Sequence, residues 1–341
     1  MKRIIVIIGI IAGCSLLIGS SCKVKGPLSK EDRLEIFNDS VEENLKPNKW
    51  DDGSTTVSNE NRLDLFKKHI KNVKGGYIGV GTTQNFTLAI WAQSEWIWLI
   101  DFTKIAVAAN KIHISFLKKA KNVKEFTKLW QKASKKEAMA IIEKEYKDSH
   151  NLAFIKDTWE KSLVFVMSRI KSMRYLTKKR NYKSCLTHDD MYQKIRKLAL
   201  EGRIKALKGD LNGPRTVLGI AENAKKMNLM IRIVYLSNAE EYFKTFTDQF
   251  RKNISSLPVD EKSVLVRTAT IYKWIYPWAP DSEYRNPVGF HYNTMPVLIF
   301  NKWLTDNKRK KIELYDILKT GKVFGTTGYS SISAYPKTNE K

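Results

Sequence analysis

Cysteine and histidine are scarce in this sequence, and the functions that depend on them find no support. Of the 341 residues, three are cysteines and five are histidines. Cys14 and Cys22 lie in or next to an N-terminal apolar region, so Cys185 has no partner for an intramolecular disulfide in the rest of the chain. No catalytic cysteine signature surrounds Cys185, which favours a buried small hydrophobic side chain. The histidines include no pair at metal-ligand spacing, so no zinc site is expected.

Several catalytic motifs are also missing. No serine occupies a nucleophile elbow, and no glycine-lysine-serine or glycine-lysine-threonine follows a glycine turn, which argues against a serine hydrolase or a P-loop nucleotide hydrolase. The acids are numerous but form no paired motif, so a glycosidase finds no positive support. The chain has no internal repeat and no long low-complexity segment.

Basic residues are abundant. The chain has 60 lysines and arginines against 35 acids, which gives a formal net charge of +25. This balance would attract anionic lipid headgroups, surface polysaccharide or nucleic acid. The lysine clusters are spread over many predicted helices, which is typical of solvated helix faces. A nucleic-acid partner is not expected, because the tryptophans fall inside apolar runs rather than between basic residues. With 43% hydrophobic residues, the chain can bury a sizeable core.

The N-terminus has the pattern of a secretory signal. Lys2-Arg3 form a positive region, residues 4–18 are apolar, and Gly19-Ser20-Ser21 are small residues placed before Cys22. The segment resembles a bacterial lipoprotein signal, which implies that Cys22 receives the lipid and becomes the first residue of the mature chain. Removing residues 1–21 takes away two positive charges and leaves +23.

Two alternatives to this processing stay open. Ile11-Ala12-Gly13-Cys14 fits a lipobox better by residue type, but cleavage before Cys14 would shorten the apolar region and leave an apolar start on the mature chain. An uncleaved N-terminal membrane anchor is the second alternative. We therefore expect lipidation at Cys22, and a cell-envelope lipoprotein on the outer membrane or periplasmic face. The sequence leads to no expectation about oligomeric state.

The rest of the chain divides into three parts. Residues 22–58 form a tether and lead-in, which includes a capping box at Ser29-Lys30-Glu31-Asp32. Residues 59–325 form one α/β domain, and residues 326–341 form a polar tail. Within the domain, a long helical insertion covers about residues 103–200.

A glycine turn organises the domain. An apolar strand leads into a turn that contains Gly79 and Gly81. A short helix follows, and then a second strand that ends at Asp101. This order is typical of a nucleotide-binding βαβ unit, in which glycines expose backbone to a ligand and the acid binds ribose hydroxyls. Gln84 takes the place of a third glycine, so a simple tight connection is the alternative.

Further strands follow the insertion and predict a doubly wound α/β sheet. They cover residues 203–207, 230–236 and 263–268. In such a sheet, ligands bind outside the carboxyl ends of the strands. The residues that follow these ends are Gly81, Asp101, Asp210 and Asn238.

Several stretches together resemble an uncharacterised bacterial protein family with a Rossmann-like fold of the S-adenosylmethionine-methyltransferase type. They are Tyr77-Ile78-Gly79-Val80-Gly81, Gln84-Asn85-Phe86-Thr87, Leu99-Ile100-Asp101, Gly209-Asp210-Leu211-Asn212-Gly213-Pro214, Val234-Tyr235-Leu236-Ser237-Asn238-Ala239-Glu240-Glu241-Tyr242 and Leu257-Pro258-Val259-Asp260. The similarity covers roughly residues 60–320.

The resemblance implies a cofactor site for S-adenosylmethionine. Its methionine part would lie over Gly79 and Gly81, its ribose on Asp101 and its adenine amino group near Asp210. Asn238 would face the reacting end and is the candidate catalytic residue. Gln84 and Asn85 would begin the helix beside the cofactor. For Asp210 and Asn238, a turn and a helix cap are the alternatives.

Three functions remain open from the sequence. The first is a lipid-anchored envelope protein of undetermined activity, with a methyltransferase-like fold and a nucleotide-like ligand. The second is an S-adenosylmethionine-dependent methyltransferase, although a protein outside the cytoplasmic membrane would not ordinarily meet that cofactor. The third is a non-enzymatic binding or structural protein at an anionic envelope surface.

Overall fold

The computed structural model describes residues 28–46, 54–270, 289–309, 311–324 and 328–336. The predicted signal, with Cys14 and Cys22, lies outside the described residues, as do residues 326–327 and 337–341 of the predicted tail. Within those ranges, no helix combines the length and the apolar character that crossing a bilayer requires.

The described chain alternates strands and helices. The strands are β1 (Gly76–Val80), β2 (Trp96–Asp101), β3 (Ile204–Lys208), β4 (Ile231–Ser237), β5 (Val264–Thr270), β6 (Phe290–Pro296), β7 (Lys322–Val323) and β8 (Tyr329–Ser331). The α-helices are α1 (Lys30–Asn38), α2 (Lys67–Ile70), α3 (Gln84–Ala92), α4 (Lys104–Lys119), α5 (Val123–Leu129), α6 (Lys135–Tyr146), α7 (Leu152–Lys179), α8 (Asp189–Leu200), α9 (Thr216–Lys226), α10 (Asp248–Ser255), α11 (Val297–Thr305) and α12 (Leu314–Leu318). Short 3₁₀ turns cover Ser54–Thr56, Leu63–Phe66, Lys132–Ser134, Ala239–Tyr242 and Asn307–Arg309.

All eight strands belong to one sheet, in the order β3-β2-β1-β4-β5-β6-β8-β7. Strands β1 to β5 are parallel to one another, β6 is antiparallel to β5, and β7 is antiparallel to β8. The five strands predicted from the sequence are β1 to β5. Chain order changes direction at β1, which lies between β2 and β4, and ligands of open α/β sheets bind beside such a point, outside the carboxyl ends of the strands.

Helices cover both faces of the sheet. Along β4, Ile233 and Tyr235 pack into one core, whereas Val234 and Leu236 pack into another. Side chains alternate between the faces of a strand, so a strand that is buried on both faces must be apolar throughout. Helices α3 to α8 cover the first face, and α1 and α9 to α12 cover the second. The mixed α/β fold predicted from the sequence is confirmed.

The segment between β2 and β3 contains five α-helices, α4 to α8, joined by short connections. Its longest helix, α7, buries Trp159, Val166 and Ile170. The Trp159 indole donates a hydrogen bond to the carbonyl of Leu129 over 3.0 Å, which links α7 to α5. The side of α7 that carries these residues is therefore part of the core.

Both ends of the described chain pack against the domain. In the lead-in, the Ser29 capping box is confirmed, and Phe37 packs 4.7 Å from the Trp98 ring, between centroids. At the other end, β8 pairs with β6 where the sequence predicts a polar tail, and Tyr329 and Ile332 are buried. A three-residue strand is too short to show a periodic pattern in the sequence. Its stability comes from its neighbours in the sheet.

Candidate functional site at the carboxyl edge of the sheet

The structure joins the glycine turn to the acid that follows β2. Gly81, at φ +85°, donates its N–H to Asp101 Oδ2 over 3.1 Å, and its carbonyl accepts from Asn110 Nδ2 over 2.9 Å. Asp101 Oδ1 accepts from both the N–H and the hydroxyl of Thr103, each over 2.8 Å. The backbone and the acid assigned to the cofactor thus bind each other and their neighbours.

The glycines leave space that side chains of the same turn occupy. A Cβ on Gly79 would lie 2.0 Å from Asn85 Oδ1 and 2.5 Å from Tyr77 Cε1. The Tyr77 hydroxyl donates to that same Asn85 oxygen over 2.7 Å. A Cβ on Gly81 would lie 2.5 Å from Gln84 Nε2. Because both positions lack a side chain, the side chains of Gln84 and Asn85 can occupy the space beside them.

A buried carboxylate that the sequence did not predict occupies the same edge. Residues 54–62, which we call the capping segment, precede β1 and carry Glu60, which is 1% exposed. Its carboxylate accepts hydrogen bonds over 2.8 Å from the hydroxyls of Ser237, at the end of β4, and Thr268, in β5. The Tyr235 hydroxyl donates to its other oxygen. Glu60 thus lies across the carboxyl ends of two parallel strands.

Burial has a strong effect on this carboxyl group. It raises the pKa of Glu60, while the hydrogen bonds from Tyr235, Thr268 and Ser237 act in the opposite direction. Ser237 has a left-handed backbone conformation, with φ +51°, which is unfavourable for a residue with a side chain. Gln84 Nε2 donates to the Tyr235 hydroxyl over 3.4 Å and so connects Glu60 to the glycine turn.

Residues from two distant elements hold the capping segment in place. Arg169 of α7 donates to the Asn61 side chain over 3.0 Å and to the Glu60 carbonyl. The Tyr292 hydroxyl, from β6, accepts from the N–H groups of Asn61 and Arg62 over 3.0 and 2.9 Å. The segment is therefore fastened to the edge by buried polar contacts.

A second carboxylate, from the lead-in, occupies the start of α9. Glu43 Oε1 accepts from the N–H groups of Arg215 and Thr216 over 2.7 and 3.0 Å. The free N–H groups at a helix N-terminus favour an anion, and here the chain supplies its own. A Cβ on Gly213 would lie 2.3 Å from the same oxygen, so this glycine makes room for Glu43.

The remaining predicted residues have local partners. Asp210 Oδ1 accepts from the Asn212 N–H over 2.8 Å, and Asn238 Nδ2 donates to Glu241 over 3.1 Å. The Gly209 N–H bonds the Asp101 carbonyl over 2.9 Å, which places Asp210 beside the end of β2. The roles of Asp210 and Asn238 toward a cofactor stay predictions. No cluster of three or more metal-binding side chains occurs in the described part of the chain.

Neither Glu43 nor Glu60 has a sequence signal that would reveal its position. Both follow polar stretches outside the predicted strands, and acids in such stretches are usually solvated. Their partners lie more than a hundred residues away along the chain.

Comparison with known families places most of the chain in one domain. A family model described as a domain of unknown function (DUF7790) matches residues 55–332. The match includes Glu60 and every strand of the described sheet, and it begins after Glu43. A comparison with curated proteins found no match.

Proposed function

The chain belongs to the DUF7790 family, and we propose that it is a lipid-anchored envelope protein whose Rossmann-like domain binds an anionic surface without catalysing a reaction. One observation carries this proposal: the chain's own side chains occupy the carboxyl edge. Glu60 lies across β4 and β5, Glu43 caps α9, and Asp101 binds the glycine turn. The net charge of +23 beyond the signal supports an anionic partner.

The strand order supports a Rossmann-like fold. The parallel strands follow the order 3-2-1-4-5 that begins the doubly wound dinucleotide-binding sheet. The antiparallel β6 departs from the all-parallel form of that sheet. We assign the domain to the methyltransferase-like variant of the fold on this order and on the glycine turn.

The filled edge disfavours S-adenosylmethionine. The cofactor would have to replace Asp101 as the acceptor of the Gly81 N–H, and it would have to displace Gln84 or Asn85 from the space over the glycines. Each buried hydrogen bond that is lost without replacement costs about 1–3 kcal/mol. A non-enzymatic role is therefore favoured over methyl transfer.

Calorimetry with S-adenosylmethionine and S-adenosylhomocysteine tests this proposal. We expect no saturable heat from the full chain, purified in detergent, up to millimolar ligand. Saturable heat that Asp101→Asn abolishes would instead establish a cofactor site and favour a methyltransferase. Asp157→Asn is the matched control, because Asp157 is a half-exposed acid of α7 that pairs with Lys161.

Labelling with a palmitate analogue tests the anchor. We expect Cys22→Ala to abolish the label and Cys14→Ala to retain it, because the lipid is attached to the cysteine that follows the cleavage site. Loss of label in Cys14→Ala alone would show that the lipid is attached to Cys14. A wild-type chain that takes up no label would contradict the lipoprotein proposal and favour an uncleaved anchor.

A further inference from the structure

An open region of the domain lies at the opposite end of the parallel strands from the glycine turn. It is a cleft of about 720 Å³ on the face that α3 to α8 cover. Trp91, which lines it, is at the end of α3, whereas Gln84 begins that helix beside the glycine turn. The Trp91 carbonyl accepts from the Asn72 N–H over 3.1 Å, just before β1 begins. The cleft is therefore near the amino ends of the strands.

Positive side chains from separate elements converge on this cleft. Lys67 begins α2, Arg174 and Lys178 lie in the last turns of α7, and Lys183 follows that helix. No aspartate or glutamate of the described chain lines the cleft. Lys183 pairs with Asp190 over 2.8 Å, but both side chains are more than half exposed, so this pair neutralises little of the local field.

The C-terminus of α7 explains only part of this convergence. The negative end of the helix dipole favours a cation such as Lys178. It does not account for Lys67 or Lys183, which belong to other elements. Like charges brought together in one concave site repel each other unless an anion binds between them.

A buried hydrogen-bond donor in the cleft wall is a second, independent observation. Trp91 is 6% exposed, and its Nε1–H finds no acceptor in the described part of the chain. Buried donors in folded proteins nearly always have a partner. The Lys67 ammonium lies 5.8 Å from the centre of the Trp91 ring, so a cation lies over the residue that carries this donor.

His188 also lines the cleft. Its Nδ1 lies 2.8 Å from the Thr187 hydroxyl and 3.4 Å from the Ser184 backbone nitrogen, so these contacts engage only that ring nitrogen. The side chains named for this cleft thus offer N–H groups and positive charge. A ligand that matches them must offer several oxygen acceptors and negative charge.

We infer that this basic cleft binds a compact ligand with two phosphate groups, supplied either as a free phosphate ester or as a lipid headgroup. Its volume is within the range of small-molecule sites. Arginine suits a phosphate because its planar donors bind two oxygens, and lysines add point charges. The inference rests on the proposed binding role and names the ligand class for it.

Titration with inorganic pyrophosphate tests the cleft. We expect the full chain to bind one pyrophosphate, and Arg174→Gln with Lys178→Gln to weaken binding about tenfold or more, since two charge-assisted contacts are lost. The matched control is Lys225→Gln with Lys226→Gln, which removes the same charge from exposed positions of α9, on the other face of the sheet. We expect this control to bind within about twofold of wild type.

Trp91→Phe tests the buried donor separately. Phenylalanine keeps an aromatic ring in the wall but cannot donate a hydrogen bond. We expect pyrophosphate binding to weaken about threefold or more when it is measured below the melting temperature of the variant, which the smaller buried ring lowers. Unchanged affinity would show that the Trp91 donor does not meet the ligand and would overturn this part of the inference.

A tethering assay distinguishes the two sources of phosphate. The chain is anchored in phosphatidylcholine vesicles and mixed with phosphatidylcholine vesicles that contain a lipid diphosphate. Capture that pyrophosphate blocks, and that the Arg174 and Lys178 double variant lacks, supports a headgroup. Pyrophosphate binding without capture supports a free phosphate ester. The inference fails if wild type does not bind pyrophosphate, or if both double variants lose affinity equally. The calorimetry with S-adenosylmethionine is independent of either result.

Discussion

Replacing Arg267 with methionine should lower the free energy of unfolding by about 3–5 kcal/mol. Arg267 of β5 donates to Glu240 over 3.1 Å, and both side chains are fully buried. The guanidinium also lies 4.7 Å from the centre of the Phe300 ring. Without Arg267, Glu240 would be a buried carboxyl group that has lost its ionic partner. Urea unfolding followed by tryptophan fluorescence measures the change.

A double variant separates this cause from a loss of packing. Arg267→Met with Glu240→Leu removes both charges, and buried pairs replaced in this way are often near neutral in stability. We expect the double variant to recover most of the loss. Lys161→Met is the surface control, because the Lys161–Asp157 pair is half-exposed and should contribute no more than about 0.5 kcal/mol. If the double variant is less stable than Arg267→Met, packing rather than charge explains the cost.

Acid should destabilise the domain through His113, and His113→Phe should remove that part of the pH dependence. His113 is fully buried on α4, its ring centre is 4.8 Å from that of Trp130, and neither ring nitrogen has a partner in the described part of the chain. Burial lowers the pKa of His113 from 6.5 to about 3. The unfolded chain therefore binds a proton that the folded chain excludes between these two pH values.

The sign of the effect follows from this difference in proton binding. Stability is highest above the unfolded pKa of His113, near 6.5, and is lost as the pH falls toward about 3. At about pH 4.5, we expect wild type to have lost roughly 2–3 kcal/mol more than His113→Phe, relative to pH 7. His150→Phe is the control, because His150 is exposed. Parallel stability curves for wild type and His113→Phe would contradict the prediction.

Local patterns in the sequence were sufficient to predict the strands at the centre of the sheet. Strands β1 to β5 are short runs of mostly apolar residues, and a strand that is covered on both faces needs such a run. The same patterns placed Gly81 and Asp101 at neighbouring strand ends, where the structure joins them by a hydrogen bond. The capping box at Ser29 was predicted in the same way, from residues three apart.

The outer strands could not be predicted by these means. Strand β6 has the sequence Phe290-His291-Tyr292-Asn293-Thr294-Met295-Pro296, which shows neither a continuous apolar run nor a clear alternation of polar and apolar residues. Strands β7 and β8 have two and three residues. Their conformation depends on pairing with strands that were already placed, which a local window of sequence does not contain.

The sequence by itself determined the alternation of strands and helices and the position of a glycine turn before an acid, because these depend on residues close together in the chain. Only the tertiary structure decided what fills the carboxyl edge. Glu60 meets its partners in β4 and β5 across 175 to 208 residues. The basic cleft likewise combines Lys67 with Arg174 and Lys183. An acid or a lysine in a polar stretch looks the same whether it will be solvated or buried, since its environment is created by packing between distant elements.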